Sequence, residues 1–323
     1  MNNFFRIIRT IKKAKKIAVF THVDPDPDAI GSSLALTKAL TKIKKTVDLY
    51  IMDKFTDSEN AIFDKSPMRQ DECNPNEYDL MITTDVPSIF RLGIYGEVVS
   101  NFENTIVLDH HMNVDLLGKY AYIDTDSSSC CEIVFKLIRR MGIKVDKEMA
   151  TYLYAGLSSD TNSFTNSNVN VKSFKNAYHL LKLGANVNEI NEKQYKMRTK
   201  KEIIFRNYLW NNYVQHKNSA YILIDRKTLK KLKGSKDDCN NFSSELVSIN
   251  GIDYGFAIIE VDDKSFYVSM RSKVGYDVRK IATELGGGGH LCAAATTLTA
   301  KSINSAKNKI FRILYKNKGE KVG

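Results

Sequence analysis

At 323 residues the chain exceeds the size at which one hydrophobic core stops growing, roughly 250–300 residues, so two domains are expected. Its 43% hydrophobic and 26% charged residues are those of a globular protein and exclude a disordered or fibrous class. The net charge of +11 favours polyanionic partners such as nucleotides, although Lys and Asn are abundant throughout and a general composition bias accounts for it equally well.

Phe4, Ile7, Ile8 and Ile11 recur at helical spacing in a basic segment over residues 1–16. The apolar run Ile17–Phe20 reads as a strand. It is followed by the acidic stretch THVDPDPDAIGSS (Thr21–Ser33) and a helix over about 29–43. Strands are expected at 46–51, at 80–84 leading into Asp85, and at 105–108 leading into Asp109-His110-His111. Ser129 and Glu132 fit a capping box opening a helix that Gly142 closes, and the next helix, over about 146–159, runs into Asp160. Helices follow at 170–183, 187–196 and 199–215; the last is charged, carries the only Trp, Trp210, and reads as a connector. The pattern then restarts with a strand at 220–224, a helix at 242–249, strands at 254–261 and 266–270, and a helix at 278–284. Strands alternating with helices specify an α/β fold: a parallel N-terminal sheet with helices on both faces, a helical linker, and a smaller C-terminal α/β domain. The expected limits are 1–190, 191–217 and 218–323. In such sheets ligands bind at the carboxyl ends of the strands. Five cysteines, odd in number and without C-x-x-C spacing, read as reduced thiols. No apolar run has the length of a signal-peptide core or a membrane span, so a cytoplasmic protein with no membrane partner is expected.

The stretch after the first strand packs His22, Asp24, Asp26 and Asp28 into seven residues. Read as extended chain, alternate carboxylates share a side and repel, which a cation relieves. Read as a turn, the same stretch makes Asp28 the cap of the following helix. His110-His111 is likewise either a pH-sensitive turn or a pair of ligands. Taken together, His22, Asp26, Asp28, Asp85, His110 and Asp160 arrive from four separate strand or helix ends. Two imidazoles, four carboxylates and no thiolate suit a pair of divalent ions, Mn²⁺ ahead of Zn²⁺. Two such ions about 3.5–4 Å apart support in-line attack on phosphorus.

The stretch H-V-D-P-D-P-D-A-I-G-S, Asp85 after its apolar strand, D-H-H at 109–111 and G-L-S-S-D-T-N-S-F at 156–164 resemble motifs I to IV of the DHH phosphoesterases. F-Y-V-S-M-R-S-K at 266–273 and G-G-G-G-H at 286–290 resemble the DHHA1 domain, so the resemblance spans nearly the whole chain in order. It implies one metal on His22, Asp26 and Asp85, and a second on Asp28, Asp85, His110 and Asp160, with Asp85 bridging. It assigns Asp109 to orienting His110, and His111 to the reacting phosphate or its leaving oxygen. In the second domain it implies substrate binding by Arg271, His290 and the backbone N–H groups of Gly286, Gly287, Gly288 and Gly289, a flexible turn being the alternative for the glycines. Pro27 stands where the family often has Gly, which stiffens the loop.

With only these two domains, the chain resembles the nanoRNase (oligoribonuclease) branch, which includes 3′-phosphoadenosine-5′-phosphate phosphatases and linear diadenylate hydrolases. The resemblance implies a Mn²⁺-dependent phosphodiesterase that releases 5′-mononucleotides from RNA of about two to five nucleotides by two-metal chemistry. Short RNA or nucleotide phosphates are the partners it implies, and a homodimer is left open. Two alternatives stand beside it. One is an inorganic pyrophosphatase. The other is an inactive nucleotide-binding regulatory module, against which the presence of all six ligand positions argues.

Overall fold

The computed structural model describes residues 3–316 apart from 56, 64–67, 113, 116–117, 197–198, 235, 237–238 and 240–241, and the side chains of 3, 57, 58 and 290 are likewise outside the description. The chain forms two compact units, Met1–Met197 and Arg198–Gly323.

In the first unit the strands are β1 (Lys16–Phe20), β2 (Thr46–Tyr50), β3 (Met68–Arg69), β4 (Leu80–Thr84), β5 (Thr105–Asp109) and β6 (Tyr120–Ile123). They pair in the order β3-β2-β1-β4-β5-β6, every pair parallel. The strands β4 and β5 are buried along their whole length because both faces of the sheet are covered. Ile17 and Val19 of β1 face the larger core, built with the helices Asn3–Lys13, Pro27–Lys42, Cys130–Arg140 and Lys147–Asp160. Ala18 and Phe20 face the other side, where Leu92, Tyr95 and Val99 close over them. The short strands β3 and β6 escape a reading by periodicity: one has two residues, and the other is a half-exposed edge.

The helices Pro27–Lys42 and Lys147–Asp160 pack closely, and two glycines make that possible. A side chain at Gly31 would collide with the Tyr152 carbonyl oxygen. One at Gly156 would collide with Cys131 Sγ and the Asp28 backbone. The second glycine therefore lets the helix that carries Asp160 approach Asp28.

The second unit holds β7 (Val214–His216), β8 (Ser219–Ile224), β9 (Tyr254–Asp262), β10 (Ser265–Ser272), β11 (Gly288–His290) and β12 (Ala293–Thr299). Their order is β11-β12-β10-β9-β8-β7, antiparallel except for β8 beside β9. One face packs on the helices Val278–Glu284 and Ile303–Lys316. The other packs on Phe242, Leu246, and Phe205 and Leu209 of helix Lys200–Asn212. The helix that reads from sequence as a connector thus gives its apolar stripe to the second unit's core. Among the described residues no helix is long and apolar enough to cross a membrane.

Candidate metal centre

The strand order reverses between β1 and β4, and such a switch point opens a crevice at the carboxyl ends of the strands. Thr21 Oγ1 donates to the Thr84 carbonyl at 3.0 Å and ties the two strand ends together there. From β1 the chain continues into His22–Asp28, from β4 into Asp85, and from β5 into His110. The helix Lys147–Asp160 ends at the same place.

The acidic stretch is not extended. Asp24 adopts φ 49° and its N–H donates to Asp53 Oδ2 at 2.7 Å, which turns the chain over. Asp26, not Asp28, caps the next helix: its Oδ1 accepts from the Asp28 and Ala29 N–H groups at 2.9 and 3.0 Å. Pro27 explains the shift, since it occupies the first helical position, where its fixed φ fits and its missing N–H costs nothing. Asp28 then falls inside the helix, fully buried. Its two oxygens accept from the Cys130 and Cys131 N–H groups at 2.6 and 2.9 Å, so it sits on the N-terminus of helix Cys130–Arg140.

Asp85 lies at the centre. It is 2% exposed, adopts φ 61°, and approaches both imidazoles with different oxygens. Oδ2 is 3.7 Å from His22 Nε2, and Oδ1 is 3.4 Å from His110 Nε2. His110 Nε2 also lies 3.2 Å from Asp160 Oδ2 and 3.8 Å from Asp28 Oδ2, while His22 Nε2 lies 4.0 Å from Asp26 Oδ2. The ligand atoms fall into three groups, each within 4.8 Å of one another: His22, Asp26 and Asp85; Asp28, His110 and Asp160; and Asp85, His110 and His111, the last joining the other two through Asp85 and His110. Asp85 Oδ1 and His110 Nε2 are buried without hydrogen-bond partners among the described residues, although buried polar atoms are normally satisfied. Two such orphan atoms among oxygen and imidazole donors fit a divalent cation.

Charge repulsion shows in the acid–base behaviour. Burial, then the Asp160 and Asp85 charges, push Asp28 well above the usual carboxylate range. Burial and the Asp26 charge push Asp160 up to about 6, against the pull of His110. Burial also acts on Asp85, but His110 and His22 overcome it and hold that group well below the usual range. For His22 and His110 burial works against charging, and the neighbouring carboxylates outweigh it and raise both. Cys130 and Cys131 lie beside Asp28, yet burial and the carboxylates push both thiols well above their ordinary values, so neither offers a thiolate.

The neighbours of the two histidines differ from the expectation. Asp109 does not orient His110. Its Oδ1 accepts from the His111 backbone N–H at 2.8 Å and from His111 Nδ1 at 2.7 Å, because the side chain at the strand end folds back over the next turn. His110 Nδ1 instead faces the Ser127 carbonyl at 3.3 Å. Asp160 is held through its backbone: the Asn166 and Asn168 side-chain amides donate to its carbonyl at 3.0 and 3.2 Å. These amides arrive by a left-handed turn, Asn162, Ser163 and Phe164 at φ 45°, 55° and 65°, a strained arrangement of the kind that collects at functional sites. Sequence reasoning missed Ser127, whose contribution is a backbone carbonyl that no side-chain motif marks. It also missed Arg91, whose Nη2 lies 2.8 Å from His22 Nδ1.

In the second unit, Arg271 on β10 donates to the Met270 carbonyl at 3.0 Å, and among the described residues no carboxylate pairs with it; burial lowers its pKa. The four glycines are less open than a phosphate loop. The Gly286 and Gly287 N–H groups donate to the Thr283 and Ala282 carbonyls and close helix Val278–Glu284, while Gly288 and Gly289 pair with β12. Glycine is required at 287 for packing, since a side chain would strike the Ala295 carbonyl, and at 289 by φ 141°. The helix end thus takes the N–H groups of Gly286 and Gly287, and the flexible turn does not describe this run. The His290 side chain lies outside the described residues.

A doubly wound sheet with a His/Asp cluster at its switch point, followed by a mixed-sheet unit, is the layout of the DHH/DHHA1 phosphoesterases, and the chain belongs to that family. Residues 16–157 match the DHH family N-terminal domain, and residues 220–316 match the DHHA1 domain. The first match ends short of Asp160, whose membership of the cluster rests on the geometry alone. The chain is 27% identical over 299 residues to the bifunctional oligoribonuclease and PAP phosphatase NrnA of Bacillus subtilis, covering 90% of this chain and 92% of that protein. A crystal structure of an exopolyphosphatase-related protein from Bacteroides fragilis superposes with a TM-score of 0.89 at 26% identity, covering 98% and 96% of the two chains. RecJ from Thermus thermophilus, crystallised with Mn²⁺, shares the fold at 14% identity and a TM-score of 0.60, over 99% of this chain and 55% of that one.

Proposed function

We propose that the protein is a Mn²⁺-dependent phosphodiesterase that hydrolyses RNA of about two to five nucleotides to 5′-mononucleotides by two-metal chemistry. The observation that carries this reading is the double cluster around Asp85, with its orphaned, buried Asp85 Oδ1 and His110 Nε2. The name of the Bacillus subtilis relative supports the substrate class, and supports a second activity on 3′-phosphoadenosine-5′-phosphate. Linear diadenylate has the same chemistry, a phosphodiester beside a terminal phosphate, and is proposed as a further substrate.

His22, Asp26 and Asp85 would hold one cation, and Asp28, Asp85, His110 and Asp160 the other. The oxygen-rich donor set without thiolate favours Mn²⁺ over Zn²⁺. When bound, such ions neutralise phosphate charge and lower the pKa of an attacking water. The chain's own contribution is orientation and proton handling. Asp109 fixes the His111 ring through Nδ1. Burial opposes a charge on that ring, but Asp109 and Asp85 overcome it and raise its pKa, which suits contact with an anionic phosphate or proton donation to a departing oxygen. Arg271 and His290 would grip the rest of the nucleotide, Arg271 by the two-pronged contact a guanidinium makes with phosphate.

The test is a substrate panel in Mn²⁺: an RNA ladder of about two to five nucleotides, 3′-phosphoadenosine-5′-phosphate, linear diadenylate and pyrophosphate, the set spanning phosphodiester, phosphomonoester and phosphoanhydride targets of such a site. Accumulation of 5′-mononucleotides from the dimer supports the proposal. A dimer that persists while 3′-phosphoadenosine-5′-phosphate is consumed leaves only the phosphatase; turnover of pyrophosphate alone overturns both.

A further inference from the structure

Asp28, His110 and Asp160 come from three distant parts of the chain, yet one short segment braces all three. Residues 127–131 lead into helix Cys130–Arg140 and hold no ligand themselves. The Cys130 and Cys131 N–H groups hold the Asp28 carboxylate at 2.6 and 2.9 Å. The Ser127 carbonyl faces His110 Nδ1 at 3.3 Å, while the other nitrogen of that ring, Nε2, faces Asp160. Ser128 stands between these contacts and reaches Asp160 through one intermediary, Asn168. The Asn168 side-chain amide donates to the Ser128 carbonyl at 3.1 Å and to the Asp160 carbonyl at 3.2 Å. None of these bonds reaches His22, Asp26 or Asp85.

The join at Ser128 engages every polar group the residue has. Ser128 is 1% exposed. Its N–H donates to Glu132 Oε2 at 2.6 Å, its Oγ donates to the Asn168 carbonyl at 2.7 Å, and its own carbonyl accepts from the Asn168 amide. Glu132 is in turn fixed by the Asn176 amide, which donates to its Oε1 at 2.9 Å from helix Val171–Lys182. Asn168 thus gives to and takes from Ser128 and clamps the loop after Asp160 onto residues 127–131. Asn166 holds the same Asp160 carbonyl at 3.0 Å, and its bond goes to the helix end alone. The requirement at position 168 is narrow. Two carbonyls need two N–H donors on one short side chain, which asparagine supplies, aspartate does not, and alanine cannot.

We infer that Asn168 is a positioning residue for one of the two cation groups. It sets Asp160 against the segment that also carries the supports of His110 and Asp28, so the three ligands gain or lose cation affinity as a unit. The group of His22, Asp26 and Asp85 has its own supports and does not share this brace. The inference rests on the two-cation reading proposed above and adds to it a separate control of the two ions.

The test titrates Mn²⁺ into chelator-treated full-length protein by calorimetry, comparing wild type, Asn168→Ala, Asn168→Asp and Asp160→Ala. Asp160→Ala removes a ligand and so marks which binding step belongs to its group. Both Asn168 variants should weaken that same step by about tenfold or more and leave the other within about twofold of wild type. Asn168→Asp should lose at least as much as Asn168→Ala, because it keeps the shape without the donors. Asn168 is exposed, so the metal-free Tm of Asn168→Ala should stay close to that of wild type. Turnover of short RNA by Asn168→Ala should recover as Mn²⁺ is raised, which a general loss of structure would not allow. Equal weakening of both steps, weakening of the other step alone, or full rescue by Asn168→Asp overturns the inference. Wild type that binds a single ion overturns the two-cation reading and this inference with it, whereas two ions in wild type and an unaltered Asn168→Ala overturn the inference alone.

Discussion

Removing divalent cations should give this protein an inverted pH dependence, with the metal-free form more stable at pH 5 than at pH 8. Five groups in the cluster have folded pKa values raised above their ordinary ones: Asp28, Asp160, His22, His110 and His111. A raised folded pKa means that folding takes up protons. The stability each group contributes is complete below its unfolded pKa and is lost as pH rises through its folded pKa. Asp85 is shifted the other way, but it is ionised in both states between pH 5 and 8 and drops out of that window. For Asp160 the rise from 3.8 to about 6 has a ceiling of ~3 kcal/mol, and its side chain is 21% exposed, so about 2 kcal/mol is the expected share. Most of that share is lost between pH 4 and 6, and the histidines extend the loss towards pH 8. About half of the Asp160 share separates pH 5 from pH 8, and for a domain of this size ~1 kcal/mol moves Tm by about 2–4 °C, so the first unit should gain at least about 2–4 °C between pH 8 and pH 5. Below about pH 4 the trend should reverse, because carboxylates with lowered folded values, such as Asp79 on the Lys15 and Lys16 amides, then protonate. The assay is differential scanning calorimetry in chelator at a series of pH values; the single Trp, Trp210, belongs to the second unit and does not report on the cluster. Added Mn²⁺ should raise Tm more at pH 8 than at pH 6, since at the lower pH it must displace protons. A metal-free Tm that is flat or falls from pH 8 to pH 5, or a Mn²⁺ effect equal at both, would refute the reasoning.

Three substitutions probe separate parts of the account. Gly156→Ala drives a methyl group into Cys131 Sγ and the Asp28 backbone; it should cost about 2–3 kcal/mol in chemical denaturation and weaken Mn²⁺ binding. Asp109→Asn leaves every proposed ligand in place and weakens the hold on His111; kcat should fall by about 10- to 100-fold with Mn²⁺ affinity unchanged, whereas a fall in Mn²⁺ affinity would assign Asp109 to the metal instead. Arg271→Ala should raise KM for short RNA by about tenfold or more while Mn²⁺ titration of the first unit stays as in wild type.

Much of the fold was legible because the central strands are short, apolar and followed by chemistry-bearing residues, so both the parallel arrangement and the ends that matter could be read together. The cluster residues were legible because alternating carboxylates after β1, Asp85 after β4 and a double His after β5 fall together at strand ends, where a capping turn accounts for Asp26 but not for the set. Local geometry was harder to read. The i, i+2 argument for Asp24, Asp26 and Asp28 assumed extended chain, but Asp24 turns at φ 49° and Pro27 starts the helix one position early, which made Asp26 the cap. Asp109 reached His111 rather than His110 because which ring a strand-end carboxylate meets depends on the turn, and sequence adjacency does not separate the two. The glycines at 286–289 looked like a loop, yet two close a helix and two join a strand, since the alanines of β12 supply a partner that only the tertiary fold brings beside them. Arg91 was illegible because its meaning lies in one distance, to His22.

The central claim, that the double cluster around Asp85 hydrolyses short RNA, is tested most directly by turnover of an RNA dinucleotide in Mn²⁺ by wild type and Asp85→Asn, with Mn²⁺ stoichiometry measured on the same samples. Asparagine keeps the shape of residue 85 and removes the charge that lies between His22 and His110. Wild type should bind two Mn²⁺ and release 5′-mononucleotides, while Asp85→Asn, though folded, should lose at least one ion and about 10³-fold or more in rate. A dinucleotide left intact by Mn²⁺-loaded wild type, or cleaved equally well by Asp85→Asn, would contradict the account.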